Sequence, residues 1–139
     1  MIKIAETDDE IRKCFPVMAE LRPHFTNKHG FVKQVKRQTE NHNFKLVFLD
    51  DSGIKAVSGI RIGEWLARGK YLEIEDLVTA SDSRSKNYGG ELFDWIEDYA
   101  KRENCREIKL VSHVTRYGAH KFYLRKGMII DAHFFSKEL

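Results

Sequence analysis

Residues 82–90, which read "DSRSKNYGG", place two cations, an asparagine and two glycines directly before an amphipathic helical pattern. A loop that leads from a strand into a helix aims several backbone N–H groups at one point, and the helix start adds unpaired donors and a favourable dipole. Gly89 and Gly90 permit close approach of a ligand, and Arg84 and Lys86 add charge-assisted contacts. The stretch therefore has the composition of a cradle for phosphate or pyrophosphate.

The loop matches neither of two common phosphate-binding motifs. A P-loop needs Gly-Lys-Ser/Thr at the helix start. The dinucleotide fingerprint needs another glycine spacing and an acidic residue on the next strand. A polar loop whose glycines serve only the turn is the alternative interpretation, and the loop alone does not decide between the two.

The elements before this loop follow from periodicity. Thr7 and Glu10 form a capping box ahead of a helix with apolar residues at helical spacing, and Pro23 ends that helix. A second helix is predicted at about residues 30–42. The run "FKLVFLDDSGIKAVSGIRIGEW" predicts a β-hairpin that turns at residues 51–53.

The later elements alternate between strand and helix. Residues 71–80 and 106–112 predict strands on either side of the amphipathic helix. A short helix ended by Gly127 and a final strand over residues 128–139 complete the order α-α-β-β-β-α-β-α-β. This order predicts an α/β fold with a mixed central β-sheet and helices on both faces.

Length and composition narrow the class of protein. The 139 residues, 42% of them hydrophobic, fit one globular domain over residues 1–139. No apolar run reaches membrane-spanning length and the start lacks a signal-peptide pattern, so we expect a cytoplasmic protein without a membrane partner. The net charge of +3 arises from interleaved cations and anions, which argues against nucleic-acid binding.

Other residues that could carry chemistry lack the patterns that their chemistry requires. The six histidines show no metal-ligand spacing, so no metal site is expected. His24 and His113 could line a pocket for a substrate, or be ordinary surface or core residues. Ser58 lacks a nucleophile elbow. Cys14 and Cys105 have the context of buried small hydrophobes, which argues against a cysteine acyl-enzyme.

Two motifs together resemble those of a known family. Residues 77–79 at a strand end, followed by residues 84–89, are similar to a Leu-x-Val strand end and an Arg/Gln-x-x-Gly-x-Gly/Ala loop. Residues 119–123, followed by Gly127 and Met128, are similar to Ala-x-x-Phe/Leu-Tyr and a Gly-aliphatic pair. In both motifs the chain resembles the GCN5-related N-acetyltransferases (GNAT superfamily), and the likeness extends over nearly its whole length.

The resemblance implies an acetyl-CoA site at the loop. The residues it assigns to acetyl-CoA are Leu77, Val78, Arg84, Ser85, Lys86, Asn87, Tyr88, Gly89 and Gly90. Asn87 replaces the first loop glycine of the family, and asparagine tolerates the left-handed backbone that such a position needs. Arg116 stands where many relatives carry an asparagine that contacts the cofactor, and an arginine there could instead approach a phosphate or the acceptor.

The resemblance also implies a mechanism, in which an amine attacks the thioester directly while both substrates are bound. Strands 71–80 and 106–112 would splay to admit the pantetheine arm, and the Val78 N–H would polarise the thioester carbonyl. Tyr123 is expected to protonate the departing thiolate. A core aromatic is the alternative role for Tyr123.

The run "EIED" supplies the candidates for a general base. Glu73 and Glu75 share one strand face and Asp76 points to the other, unless a bulge changes the count. The resemblance favours Glu75, acting through water. Solvated strand-edge charges, or recognition of a cationic acceptor, are the alternatives for these carboxylates.

The sequence thus predicts an N-acetyltransferase with acetyl-CoA as cosubstrate, no metal, and a primary amine on a small molecule or peptide as acceptor. A non-catalytic acyl-CoA-binding or sensor module on the same fold is the alternative function. A basic module for nucleic acid is a third reading, against which the interleaved charge argues. The final strand could lie at a homodimer interface or inside the core.

Overall fold

The first helix begins at the predicted capping box. In the computed structural model, which describes residues 1–139, α1 spans Asp8–Leu21. The Glu10 N–H donates to Thr7 Oγ1 and the Thr7 N–H donates to a Glu10 carboxylate oxygen, each at 3.2 Å. The helix ends at Arg22, directly before Pro23. Both predicted boundary features of this helix are confirmed.

We predict that Glu10 makes stability depend on pH. A hydrogen bond from Lys3 Nζ at 2.6 Å and two backbone N–H donors lower the pKa of Glu10 to about 2. Because this pKa is below the unfolded value of about 4.3, the stabilisation is present above that pH and is lost as the pH falls towards 2. Glu10→Gln keeps an acceptor oxygen without the charge, so its free energy of unfolding should fall less between about pH 5 and pH 2.

Urea denaturation at a series of pH values measures this difference. Glu40→Gln, at an exposed position of the second helix, is the matched control and should keep the wild-type pH dependence. Equal pH dependence in wild type and Glu10→Gln would contradict the prediction.

The second helix packs beside the first. α2 spans Lys28–His42 and starts two residues before the predicted position, because the Asn27 side chain accepts the Gly30 N–H at 2.6 Å. It ends at Asn43, which has a left-handed backbone. α1 and α2 share one apolar cluster with the sheet, which includes Ile11, Cys14, Val17, Met18, Phe31, Val32, Val35, Phe44, Leu46 and Phe48.

The sheet has five strands that lie in chain order. They are β1 (Ile2–Ile4), β2 (Phe44–Asp50), β3 (Ile54–Trp65), β4 (Gly69–Thr79) and β5 (Glu107–Leu110). The first four pair antiparallel. Arg106 N donates to Lys70 O and Lys109 Nζ lies 3.5 Å from Glu73, so these contacts advance in the same direction along β5 and β4, as in a parallel pair. The mixed sheet is confirmed.

Both faces of the sheet are covered by helices. Phe44, Leu46 and Phe48 of β2 pack with α1 and α2, whereas Val47 and Leu49 point to the other face and are also buried. On that other face lies α3 (Tyr88–Arg102), which contacts β2, β3 and β4. The residues that α3 buries are Tyr88, Gly90, Leu92, Phe93, Ile96 and Ala100.

The chain divides into two compact units, a first unit at Met1–Lys109 and a second unit at Leu110–Leu139. The second unit contains α4 (Tyr117–Arg125), which is followed by Gly127 with φ +86°, as predicted for a helix end. A single domain over residues 1–139 stays a prediction.

The predicted final strand is wrong. Residues 128–139 contain no strand, and Ile129, Ile130, Phe134 and Phe135 are exposed. These apolar residues come as adjacent pairs rather than at alternate positions, so they do not form one apolar strand face. β1 was not predicted from the sequence, because its three residues are too few to show a period.

The two cysteines differ in burial. Cys14 is fully buried in α1, and this burial raises its pKa to about 12. Cys105 is half-buried rather than buried, so the prediction holds for Cys14 alone. None of the helices combines the length and the apolar composition needed to cross a membrane.

Candidate functional site

The predicted anion cradle forms a tight turn between β4 and α3. Residues Ser81–Lys86 form a short 3₁₀ helix, and Asn87 then adopts the left-handed conformation with φ 62° and ψ 18°. No side chain caps the start of α3. The first backbone N–H groups of α3 are therefore available to a ligand, in line with the anion cradle that the loop composition predicts.

Two glycines allow this turn to pack closely. A Cβ on Gly89 would lie 2.9 Å from Thr79 Oγ1, at the end of β4. A Cβ on Gly90 would overlap the side-chain amide of Asn87. The small residues thus bring the start of α3 against the end of β4.

The remaining loop residues differ in their contacts. Ser81 donates its N–H to Glu20 of α1 at 2.9 Å, and Arg84 lies 3.7 Å from the same carboxylate. Ser85 and Lys86 are exposed. Tyr88 is buried and donates its hydroxyl to Asp51 at 2.6 Å, which raises the pKa of Tyr88. The Tyr88 hydroxyl therefore has a structural partner in the β2–β3 turn.

The register of β4 decides which backbone donors face away from β3. Ala80 N donates to Lys55 O at 2.8 Å, and hydrogen-bonded pairs alternate along an antiparallel ladder. Val78, paired with Val57, therefore directs its N–H towards β3. The N–H groups of Leu77 and Thr79 point to the opposite edge of β4. The expectation that Val78 N–H polarises a carbonyl does not fit this register, whereas Leu77 N–H fits it.

A β-bulge at Glu75 places two neighbouring carboxylates on one face. Gly59 pairs with Asp76 and Ile60 pairs with Ile74, so Glu75 is the extra residue of β4. Both Glu75 and Asp76 line a cleft on the face covered by α1 and α2. Strict alternation, which would have put Asp76 on the face opposite Glu73 and Glu75, is corrected by this bulge.

Asp76 is held from several sides. Arg22 Nε donates to Asp76 Oδ1 at 2.8 Å, and the buried Ser58 hydroxyl donates to the Asp76 carbonyl oxygen at 2.7 Å. A Cβ on Gly59 would overlap Asp76 Oδ2 and lie 2.7 Å from the Phe44 ring. The Asp76 side chain is only 16% exposed. Burial raises the pKa of Asp76, and the ion pair with Arg22 opposes that rise.

The other two carboxylates have different surroundings. Both Glu75 oxygens accept from Arg61, Nε at 2.7 Å and Nη2 at 3.2 Å. Arg61 Nη1 also donates to the His42 carbonyl at 2.7 Å. Glu73 is paired across the ladder with Arg61, lies 3.5 Å from Lys109, and does not line the cleft. The structure thus brings together two of the three candidate bases.

The cleft has a volume of about 250 Å³ and a mixed lining. Its apolar side chains are Met18, Phe25, Phe31, Val35, Phe44 and Leu46, and its polar ones are Arg22, His24, Gln34, Gln38, Glu75 and Asp76. His24, which the sequence offered as a pocket residue, lies in this lining. An apolar pocket with a few convergent polar groups is the usual form of a small-molecule site.

The candidate residues of the second unit lie on and near α4. Tyr123 is half-buried, and this burial raises its pKa while Arg116 opposes the rise. Arg116 is exposed at the start of the helix. His113 contacts Thr115 Oγ1 at 2.8 Å and is exposed. Among all 139 residues, no group of three or more His, Cys, Asp or Glu side chains could hold a metal ion.

The sequence did not predict Arg22 in the cleft, Arg61 beside Glu75, or the outward N–H of Thr79. Arg22 is 54 positions from Asp76 in the chain, and no local pattern reveals such a pair. The direction of the Thr79 N–H depends on the residue-by-residue pairing of β4 with β3, which the sequence did not predict.

Comparison with known proteins agrees with this architecture. A family model described as the acetyltransferase (GNAT) family matches residues 4–128. An uncharacterized N-acetyltransferase of Bacillus subtilis (strain 168), YhdJ, is 29% identical over 138 residues, which cover 98% of this chain and 96% of YhdJ. An aminoalkylphosphonate N-acetyltransferase of Salmonella typhimurium is 35% identical over 55 residues, or 40% of this chain and 36% of that protein.

A solved structure shows the same fold. The crystal structure of a GNAT family acetyltransferase from Staphylococcus aureus superposes with a TM-score of 0.83 at 22% identity, covering 100% of this chain and 98% of that one. The resemblance found in the two sequence motifs and the predicted fold class are both confirmed. The chain belongs to the acetyltransferase (GNAT) family.

Proposed function

We propose that this acetyltransferase transfers the acetyl group of acetyl-CoA to a primary amine by direct attack, with both substrates bound together. The observation that carries the proposal is the turn at Asn87, which leaves the start of α3 without a side-chain cap beside the end of β4. Two backbone segments with free donors suit the pyrophosphate and the amide-containing arm of acetyl-CoA.

The residues at this turn fit such a ligand. The N–H groups at the start of α3 would hold the pyrophosphate, and the exposed Lys86 and the neighbouring Arg84 supply positive charge. Ser85 is exposed on the same turn. A larger residue at Gly89 would press on Thr79, where the ligand must pass between the two elements. Acetyl-CoA, when bound, supplies an acetyl group activated as a thioester.

The outward edge of β4 supplies donors for the reacting end. Leu77 N–H is placed to polarise the thioester carbonyl and to stabilise the oxyanion that develops on it. Thr79 N–H would hold the pantetheine arm nearer the turn. Val78 contributes its ladder bond to β3, which keeps these two donors in position.

Tyr123 is the proposed donor to the departing thiolate. Its hydroxyl is protonated at neutral pH, because a phenol has a reference pKa of about 10 and burial raises the pKa of Tyr123 further. A thiol has a lower reference pKa than a phenol. Proton transfer from Tyr123 to sulfur therefore depends on the negative charge that develops on sulfur as the C–S bond breaks.

The cleft on the α1/α2 face is the proposed acceptor site. Its volume of about 250 Å³ suits a small amine, or the end of a longer side chain or peptide. Arg22 and Arg61 pair with Asp76 and Glu75, so the four charges cancel. The two ion pairs therefore give no reason to prefer a polycationic acceptor. The aromatic and amide side chains of the lining determine the shape of the cleft.

Binding of acetyl-CoA tests the proposal first. Calorimetric titration should give saturable binding to the wild type, and Lys86→Glu should weaken it about tenfold because a repulsive charge replaces an attractive one at the phosphates. Lys33→Glu, an equally exposed change on α2, is the matched control and should bind like the wild type. Absence of wild-type binding would overturn the proposal.

A screen of primary amines then separates transfer from sensing. The screen includes small amines, amino acids and peptides with free amino termini, and free thiol is detected as acetyl-CoA is consumed. Binding without turnover of any amine would favour a non-catalytic acyl-CoA-binding module on this fold.

A further inference from the structure

We infer that Asp76, rather than Glu75, accepts the proton of the acceptor amine, and that Arg22 is the positioning residue that holds it for this role. The inference rests on the proposed function and names a residue for its proton transfer. Its grounds are the β-bulge, the unequal hydrogen bonding of the two carboxylates, and the contacts that fix Asp76 beside Leu77.

The two carboxylates of the cleft differ in whether one oxygen is left without a hydrogen bond and so can accept a proton. Both Glu75 oxygens accept from the Arg61 guanidinium, in a two-point pairing that holds the charge in place. Asp76 uses only Oδ1, which accepts from Arg22 Nε. Asp76 Oδ2 accepts no hydrogen bond within the protein and lies over Gly59, where the absence of a Cβ makes room for it.

Arg22 fixes Asp76 and the bulge together. Its Nε binds Asp76 Oδ1 at 2.8 Å and its Nη2 binds the Glu75 carbonyl at 3.1 Å, so one guanidinium spans the two residues at which the strand departs from regular pairing. Arg22 follows α1 directly, so the acceptor-side helix carries the group that orients the base. Ser58 secures the Asp76 backbone from β3 at 2.7 Å.

The position of Asp76 next to Leu77 in β4 also supports its role as the base. It immediately precedes Leu77, whose N–H points to the outer edge of β4 and is the proposed carbonyl donor. A base one residue from the carbonyl donor can reach the nitrogen that attacks that carbonyl. The charged and titratable groups that face Asp76 are Arg22, Glu75, Arg61 and His24. Burial raises the pKa of Asp76 towards the working range of a base.

The proposed reaction releases one proton in total. Asp76 takes one proton from the ammonium form of the acceptor and releases it to solvent. The neutral nitrogen forms the C–N bond as the C–S bond breaks, and its second proton goes to solvent. Tyr123 gives its proton to the departing sulfur and regains one from solvent. The products are an N-acetyl amide, a free thiol and one released proton.

Four variants test the assignment, each assayed as kcat and kcat/KM against pH with an amine that the wild type acetylates. Asp76→Asn should lower kcat by at least about 10²-fold while calorimetry shows unchanged acetyl-CoA affinity. Glu75→Gln, which keeps an acceptor oxygen for Arg61, should lower kcat by a smaller factor than Asp76→Asn does. Arg22→Gln should move the acid limb of kcat/KM to higher pH, because the guanidinium no longer lowers the pKa of Asp76. Arg22→Lys should largely restore the limb.

A readout without turnover complements the kinetics. Carboxyl ¹³C NMR, with Asp76 assigned from its absence in Asp76→Asn, should show titration above the ordinary aspartate range and a further rise in Arg22→Gln. A larger loss in Glu75→Gln than in Asp76→Asn, an unmoved acid limb in Arg22→Gln, or an ordinary titration of Asp76 would each overturn the inference alone. A wild type that acetylates no amine overturns the proposed function and this inference with it.

Discussion

Leu77→Pro is expected to lower the rate of acetyl transfer by about 10²–10³-fold, because it removes the backbone donor that we place at the thioester carbonyl. Proline lacks an N–H, but the Leu77 N–H points away from β3, so the substitution breaks no ladder bond to that strand. The assay is single-turnover acetyl transfer at saturating acetyl-CoA, with the fold checked by circular dichroism.

Two further variants separate the loss of the Leu77 N–H from the loss of its side chain and from the loss of a hydrogen bond to β3. Leu77→Ala loses the same side chain but keeps the N–H, and should stay within about tenfold of the wild-type rate. Val78→Pro removes an N–H that does point to β3, and should lower stability instead. Wild-type rates in a folded Leu77→Pro protein would contradict the role of this donor.

Phe93→Ala should lower the free energy of unfolding by about 3–5 kcal/mol, because it leaves a cavity where a fully enclosed ring packs. Phe93 lies on α3 and is 2% exposed. Domains of this size are stable by about 5–15 kcal/mol in total, so this loss is a large fraction. Urea denaturation followed by circular dichroism measures it.

The matched substitutions for Phe93 lie on the same helix. Phe93→Leu keeps most of the volume and should cost less than about 1.5 kcal/mol. Asp98→Ala, at an exposed position, should change stability by at most about 0.5 kcal/mol. A loss below about 1 kcal/mol in Phe93→Ala would mean that α3 contributes little to the core.

Local chemistry made the helix boundaries and the turn at Asn87 predictable. The Thr7–Glu10 capping box depends only on residues three positions apart, and it forms as predicted. The left-handed backbone at Asn87 follows from what asparagine tolerates sterically. Features that are decided within one turn of chain could therefore be derived from the sequence.

Features that depend on how β4 pairs with β3 were harder to derive from the sequence. The faces of β4 depend on whether each residue pairs with β3, and the bulge at Glu75 shifts that count by one. The same register decides that Leu77 rather than Val78 directs its N–H outward. Strand pairing is set by the whole sheet, so alternation along one strand placed Asp76 on the opposite face only on the condition that no bulge intervened, and the bulge is present.

The contacts that join the end of α1 to the end of β4 are long-range. Arg22 reaches Asp76 across 54 positions and Glu20 reaches Ser81 across 61. Neither pair has a sequence pattern, because α1 and β4 meet only through tertiary packing. The predicted final strand is wrong for a different reason, since residues 128–139 contain pairs of apolar residues but no alternating apolar face.

The burial of Cys14 has a practical consequence. A thiol that is fully enclosed and whose pKa is near 12 does not react with alkylating reagents in the native state, whereas the half-buried Cys105 is more accessible. Modification of Cys14 therefore reports the opening of the packing between α1, α2 and the sheet. The rate of this modification would therefore measure local unfolding at α1, a helix that lines the cleft.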